Sequence, residues 1–304
     1  MLNEIGQIKI KHIVDLSRIQ ISPTFKCSTA NCVNCYMKQN KAYTKEIDLS
    51  LCYKSTIKFI KDYMSIIMLK NITVFGGELS EYEHIKEFLK ELVDECPGVD
   101  IDLFSNGQNL LSIINSLKPN TINSITLSVD GYAYDCDLLR GKEGYYKKII
   151  DLIDFVNDYS PKTNIVISSI YRFEYQESLQ AMKRHLTYFH SVDEFLLYPL
   201  ISETEKSYFD SFKEFSKEYL TTDEDIKYSY VGRKYSKDFV YSISYLGIKP
   251  DNKIYTCVDF ENGTEIASLF SYNIFEVLNK VVNHDRSKDC EKCNFYKSFS
   301  QLYL

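Results

Sequence analysis

No run in this 304-residue sequence approaches the ~20 consecutive apolar residues that a membrane-spanning helix needs, and a membrane is therefore not an expected partner. The first residues mix Glu4, Lys9, Lys11 and Asp15 into their apolar positions, so no secretory signal peptide is expected. Basic charge is also short. Lys and Arg number 36 against 42 Asp and Glu, a formal net charge of −6 with a pI near 5.5, so the electrostatic footprint of a nucleic-acid binder is missing. Internal repeats and low-complexity tracts are absent, and nothing points to a repeat array. Tryptophan is absent too, but base composition accounts for that as readily as function, and it excludes nothing. A cytosolic protein is expected.

What is present suits a full-sized core. A hydrophobic content of 44% over 304 residues matches one large α/β domain with an appended module, or two domains. The nine cysteines form an odd count, and six of them fall in two groups, Cys27, Cys32 and Cys35, then Cys257, Cys290 and Cys293. In a reducing compartment such spacing argues for metal centres over disulfides. Three thiolates leave a coordination position open, which is what separates a reactive centre from a closed structural one. By spacing alone, zinc and iron–sulfur remain equal readings of the first group. With His284 added, the second group also suits a closed zinc site. Cys52 and Cys96, on or beside expected helices, read as small buried hydrophobes.

Apolar periodicity then sets the organisation. Residues 7–15 and 17–22 read as two short strands, and residues 49–69 as an amphipathic helix. Strands at 71–75, 99–104, 124–129, 164–170 and 194–199 alternate with helices at 82–95, 109–117, 145–158 and 176–190. Counted from 17–22, that makes six strands in right-handed βαβ units, a parallel sheet long enough to curve into a partial barrel. Functional residues in such sheets gather at the C-terminal strand ends. The cysteine triplet follows strand one, Gly76-Gly77-Glu78 strand two, Ser105-Asn106-Gly107 strand three, and Ser128-Val129-Asp130-Gly131 strand four. After residue 200 the texture changes to a helix at 203–219, an acidic linker at 221–225, a hairpin of 239–247 and 253–257 turning at Pro250-Asp251-Asn252, and a helix at 273–282.

These residues resemble the radical S-adenosylmethionine (SAM) enzymes, in particular the branch with a C-terminal SPASM or Twitch module. The family's usual cysteine spacing is C-x3-C-x2-C, whereas Cys27, Cys32 and Cys35 give C-x4-C-x2-C; Tyr36 fits the branch and Asn34 departs from a common aromatic. Val74-Phe75-Gly76-Gly77-Glu78 is similar to the strand-two motif that holds the SAM amino group, with Leu79 in place of a frequent Pro. Ser128-Val129-Asp130-Gly131, Cys136-Asp137-Leu138-Leu139-Arg140-Gly141 and Gly144-Tyr145-Tyr146 look like the family's S-x-D-G, H-D-x-x-R-G and G-x-F, with Cys136 for His and Tyr146 for Phe.

The resemblance implies a partial (β/α)6 TIM-like barrel over residues 1–200 and a small α+β Twitch-like module over 201–304. It implies a 4Fe-4S cluster on Cys27, Cys32 and Cys35, and SAM contacts from Tyr36, Gly76, Gly77, Glu78, Ser105, Asn106, Ser128, Asp130 and Arg140. The tail, Gly247 to Asn252 with Cys257, Cys290 and Cys293, resembles an auxiliary-cluster hairpin that lacks its upstream cysteine, since no Cys lies between Leu139 and Thr256. Its fourth ligand would be absent or supplied by a residue such as His284 or Asp259. The implied activity is reductive SAM cleavage to a 5′-deoxyadenosyl radical, with electrons from a donor such as flavodoxin or ferredoxin. The implied substrate is a ribosomally made peptide, cross-linked, epimerised or oxidised. A small-molecule substrate, as for molybdopterin-precursor cyclases, and a non-catalytic metal-binding scaffold are the alternatives. No separate N-terminal peptide-recognition domain is evident, which weakens the leader-peptide case but leaves room for a recognition protein supplied in trans. Cys136 is the candidate catalytic hydrogen donor, which would make the enzyme an epimerase, against the plainer reading that it packs as a small hydrophobe.

Overall fold

A computed structural model describes residues 9–28, 31–33, 35, 49–200, 205–220, 227–228, 235–236, 239–256 and 263–284. Its centre is a run of parallel strands in sequence order: β1 (Lys9–Ile21), β2 (Asn71–Val74), β3 (Asp100–Ser105), β4 (Ser124–Ser128), β5 (Asn164–Ile170) and β6 (Glu194–Tyr198). The crossovers carry α1 (Tyr53–Met64), α2 (Ile85–Glu95), α3 (Leu110–Ile114), α4 (Ala133–Arg140) with α5 (Tyr145–Tyr159), and α6 (Gln176–Phe189). After β6 come α7 (Lys206–Leu220) and β7 (Lys227–Tyr228), which lies parallel to β6. Parallel neighbours that follow one another in sequence, joined by right-handed crossovers, put every helix on one face and curl the sheet. Among the described residues the sheet runs from one free end to the other without closing, as a partial barrel does.

Burial follows from periodicity. On α5, Tyr145, Tyr146, Ile149, Leu152, Ile153 and Val156 are buried at helical spacing. On the strands, Ile72 and Val74, Ile101 and Leu103, Ile125 and Leu127, and Ile165 and Ile167 are buried, each pair two residues apart and so on one face.

Three features depart from the sequence expectation. The two strands expected at 7–15 and 17–22 are one strand, β1, whose pairing shifts register between Val14 and Ile19. The polar residues that looked like a break form a local tie, because Asp15 Oδ1 accepts from both the backbone N–H and the hydroxyl of Ser17. Helix α4 was not expected. Only Cys136 and Leu139 of its eight residues are buried, too few to give a periodic signal. The C-terminal hairpin also joins the same sheet: β9 (Phe239–Ile248) pairs in parallel with β1, β10 (Lys253–Tyr255) pairs antiparallel with β9, and the unexpected β11 (Glu265–Ser268) completes that edge. The short β8 (Tyr235–Ser236) pairs with β9, and α8 (Ile274–Asn283) follows with Asn273 as its side-chain cap.

The hairpin turn is fastened to the rest of the chain by Asn252. Its backbone is left-handed at φ 62, its Oδ1 accepts from the backbone N–H of Cys52, and its Nδ2 donates to the carbonyl of Ser50 at 3.3 Å. Residues 50 and 51 in turn pair with Thr24 and Pro23 at the root of the cysteine loop. Asn252→Ala should therefore lower stability by about 2 kcal/mol, combining a left-handed backbone penalty with lost hydrogen bonds. Asn252→Gly should lose less, since it keeps the backbone conformation. Denaturant titration of both variants checks this, and equal losses would contradict it.

Candidate functional site

The cysteine loop begins where β1 ends and is stitched to both neighbouring strands. The backbone N–H of Ser22 donates to Ile248 O on β9 at 2.8 Å, and that of Phe75, after β2, donates to Ile21 O at 2.9 Å. The N–H of Gly77 then donates to Thr24 O at 2.9 Å and that of Glu78 to Lys26 O at 2.8 Å. Only glycine fits so close to another backbone: a Cβ on Gly76 would lie 2.5 Å from Thr24 O, and one on Gly77 2.2 Å from Lys26 O. The far side of the loop rests on α4, with Val33 N–H donating to Leu139 O at 2.9 Å. Gly141, at φ 64, lets Asn31 approach, because a Cβ there would lie 2.5 Å from Asn31 O.

These contacts frame a cleft of about 250 Å³ at the C-terminal strand ends, lined by Cys27, Cys32, Cys35, Gly76, Gly77, Ser105, Asn106, Ser128, Asp130 and Arg140. Arg140 pairs with Asp130 at 2.7 Å, and the other Asp130 oxygen accepts from the backbone N–H of Ile170 at 2.8 Å. Burial disfavours the guanidinium charge, but Asp130 and, less strongly, Tyr145 and Cys32 more than offset it, so Arg140 stays charged. Tyr145 shares its hydroxyl hydrogen between Ser128 O at 2.6 Å and Asn106 O at 2.8 Å, joining the ends of β3 and β4. Burial pushes its pKa far up, so it remains a donor.

Two expected site residues lie off the cleft lining. Glu78 is buried behind it, with one carboxylate oxygen accepting from Ser105 Oγ at 2.7 Å and the other from Asn106 N–H at 2.8 Å. Cys136 is fully buried on α4, and burial pushes its thiol up to about 12. That placement matches packing in the core more closely than hydrogen transfer in the cleft. Tyr36, Cys257, Cys290 and Cys293 lie outside the described residues. The cleft also includes Val33, Phe104, Leu139, Ile170 and Arg172, which the sequence reading did not select. Arg172 had a usable signal. It stands two residues past the end of β5, and extending the strand-end rule to the fifth strand picks it out.

The donor set fits the cofactors that the motifs imply. None of the three loop cysteines forms a disulfide, and all three sulfur-bearing side chains face one cleft. Among the described residues no three His, Cys, Asp or Glu side chains converge as a single ion requires; a cubane, whose thiolates sit on different irons, does not need that convergence. Arg140 keeps a buried Nε with no hydrogen-bond partner, a donor suited to an anionic group such as the SAM carboxylate.

Two outcomes follow. Gly77→Ala should separate the loop from β2 and lower the loading of a cluster on Cys27, Cys32 and Cys35 to less than about half of its wild-type level on reconstitution, with the helical content kept; full loading there would contradict the close-approach argument. For Glu78, burial raises the carboxyl above its ordinary 4.5, while the bonds from Ser105 and Asn106 lower it in part. The native state therefore holds a proton that the unfolded chain releases, and this contribution to stability is lost as pH rises from the ordinary carboxyl range through the native pKa. Glu78→Gln should remove that pH dependence and, by offering one acceptor where two donors point, cost about 1–3 kcal/mol. Urea midpoints measured from the ordinary carboxyl range upward in pH test both parts.

The description "Radical SAM superfamily" matches residues 21–184. No curated protein matches the sequence. Among solved structures, Streptococcus suis SuiB bound to S-adenosylmethionine is 16% identical with a TM-score of 0.64, covering 93% of this chain and 71% of its own. The protein anSMEcpe with bound AdoMet is 14% identical with a TM-score of 0.60, covering 92% and 88%. BtrN in complex with AdoMet and 2-DOIA is 11% identical with a TM-score of 0.50, covering 93% and 92%. With the family match spanning over half of the chain, on a fold shared with these structures, this protein belongs to the radical SAM superfamily and is a radical SAM enzyme.

Proposed function

We propose that the chain binds a 4Fe-4S cluster through Cys27, Cys32 and Cys35, cleaves SAM reductively beside it, and modifies a ribosomally made peptide by cross-linking, epimerisation or oxidation. The chemistry that cluster and SAM supply together is one-electron cleavage of the sulfonium and hydrogen abstraction by the resulting 5′-deoxyadenosyl radical. The protein's task is to bind, orient and keep the site dry. Arg140, kept charged by Asp130, takes the SAM carboxylate. Gly76 and Gly77 bring the strand-two turn against the cysteine loop, and Ser105, Asn106 and Ser128 offer polar groups to the rest of SAM, with Tyr36 beside the third cysteine. Val33, Phe104, Leu139 and Ile170 line the same cleft with apolar surface that excludes water. The observation that carries this reading is the meeting of three thiols, the glycine turn and the Asp130–Arg140 pair in one cleft.

A division of labour at about residue 200 goes with this proposal. Residues 201–304 would carry a Twitch-like module with a second cluster on Cys257, Cys290 and Cys293, and a flavodoxin or ferredoxin would deliver electrons. Support for the module is positional, because β9 and β10 bring the chain that leads to Cys257 alongside β1, from which the first cysteine loop departs. A peptide substrate is favoured by the similar structures described with precursor peptide SuiA and with a Cp18Cys peptide. The complex with 2-DOIA favours a small molecule as second reading.

Anaerobic incubation with SAM and dithionite should yield 5′-deoxyadenosine, and the triple variant Cys27→Ala/Cys32→Ala/Cys35→Ala should fall to background; cleavage at the normal rate by that variant would remove the assignment. That variant should still bind about four irons in the second centre, and one zinc in their place would reject an auxiliary cluster. A mass change in a co-expressed candidate precursor peptide that needs Cys27 separates the peptide reading from the small-molecule one.

A further inference from the structure

Asn106 carries a contact beyond any part in binding SAM: its Nδ2 lies 3.8 Å from Cys27 Sγ, within reach of a hydrogen bond to sulfur. The two ends of an amide are easily interchanged, so its orientation has to be argued from the partners. Here Oδ1 accepts from the backbone N–H of Gln108 at 3.0 Å. A flipped amide would set two donors against each other there and turn an oxygen towards the sulfur. The backbone of Asn106 is fixed as well, its N–H donating to Glu78 Oε2 at 2.8 Å and its carbonyl accepting from Tyr145 Oη at 2.8 Å. Gly107 follows at φ 79, so tightly packed that a Cβ would lie 2.5 Å from Ile149 Cδ1. The donor is therefore aimed at Cys27 by the fold.

We infer that Asn106 donates a hydrogen bond to the Cys27 thiolate and thereby raises the reduction potential of the cluster bound there, an inference that rests on the proposed cluster. An N–H aimed at a ligand sulfur stabilises negative charge on it, and the reduced cluster carries one more negative charge than the oxidised one, so the bond favours reduction. Asn106 acts through Cys27 and is a positioning residue for electron transfer into the site.

The test is an EPR-monitored redox titration of SAM-free protein, which keeps any SAM contact of Asn106 out of the measurement. Asn106→Leu removes the donor at similar volume. Asn106→Asp keeps an acceptor for Gln108 N–H but puts oxygen where the donor was. With iron and sulfide matched to wild type, both should show a more negative midpoint. A tenfold weaker reduction equals about 59 mV for one electron. An unchanged midpoint in either loaded variant overturns the inference. Wild-type protein labelled with side-chain [δ-15N]asparagine should show a 15N coupling to the reduced cluster, and its absence overturns the inference even if the variants fail to load. A wild type that reduces and cleaves SAM but shows neither effect removes only the role of Asn106. A wild type that assembles no reducible cluster removes the functional reading, and this inference with it.

Discussion

Everything at the C-terminal edge of the barrel depends on one close approach of two backbones, Gly76–Gly77 against Thr24–Lys26. The two hydrogen bonds across it, at 2.9 and 2.8 Å, extend strand-like pairing beyond the end of β2 and into the cysteine loop. A loop that carries reactive ligands is ordinarily free to choose among many conformations. Here it is fixed at its root on one side by β9, on the other by β2, and at its far end by α4. The glycines are needed because any Cβ would collide with a carbonyl oxygen, and a carbonyl in an extended backbone cannot yield as a side-chain tip can.

Behind that contact stands a polar network that runs from the buried Glu78 to the cleft-lining Asn106, Ser128, Asp130 and Arg140. Glu78 gathers Ser105 and Asn106, Tyr145 ties Asn106 to Ser128, and Asp130 links Arg140 to the end of β5. Glu78 thus links the end of β2 to that of β3, Tyr145 bridges the ends of β3 and β4 from α5, and Asp130 ties the end of β4 to both β5 and α4. A buried carboxyl group is costly unless its oxygens are satisfied, and the bonds from Ser105 and Asn106 to the two oxygens of Glu78 offset part of that cost. Breaking one link would leave a buried donor or acceptor alone.

The C-terminal hairpin takes part in the same arrangement. By pairing in parallel with β1 it covers what would otherwise be the exposed edge of the barrel sheet. Through Asn252 it also reaches residues 50–52, which pair with the root of the cysteine loop. The described chain after residue 200 is thus mechanically continuous with the cysteine loop.

The sequence by itself determined the alternation of strands and helices, because apolar periodicity of 2 and 3.6 is a local property: β5 was read at its observed bounds, and α5 to within one residue. It also determined which motifs stand at the strand ends, since glycine and cysteine spacing is written in the chain. Contacts between distant segments were decided only in the tertiary structure. That β9 pairs with β1, some 230 residues apart, has no local signature. Glu78, read as a partner for an ammonium group, turns inward because Ser105 and Asn106 present two donors to it from the next strand. Cys136 lies in the core because α4, too weakly periodic to be foreseen, rotates it there. Arg172 enters the cleft because a curled sheet brings the end of β5 round to face the ends of β1 and β2, a convergence that exists only once the strands have paired.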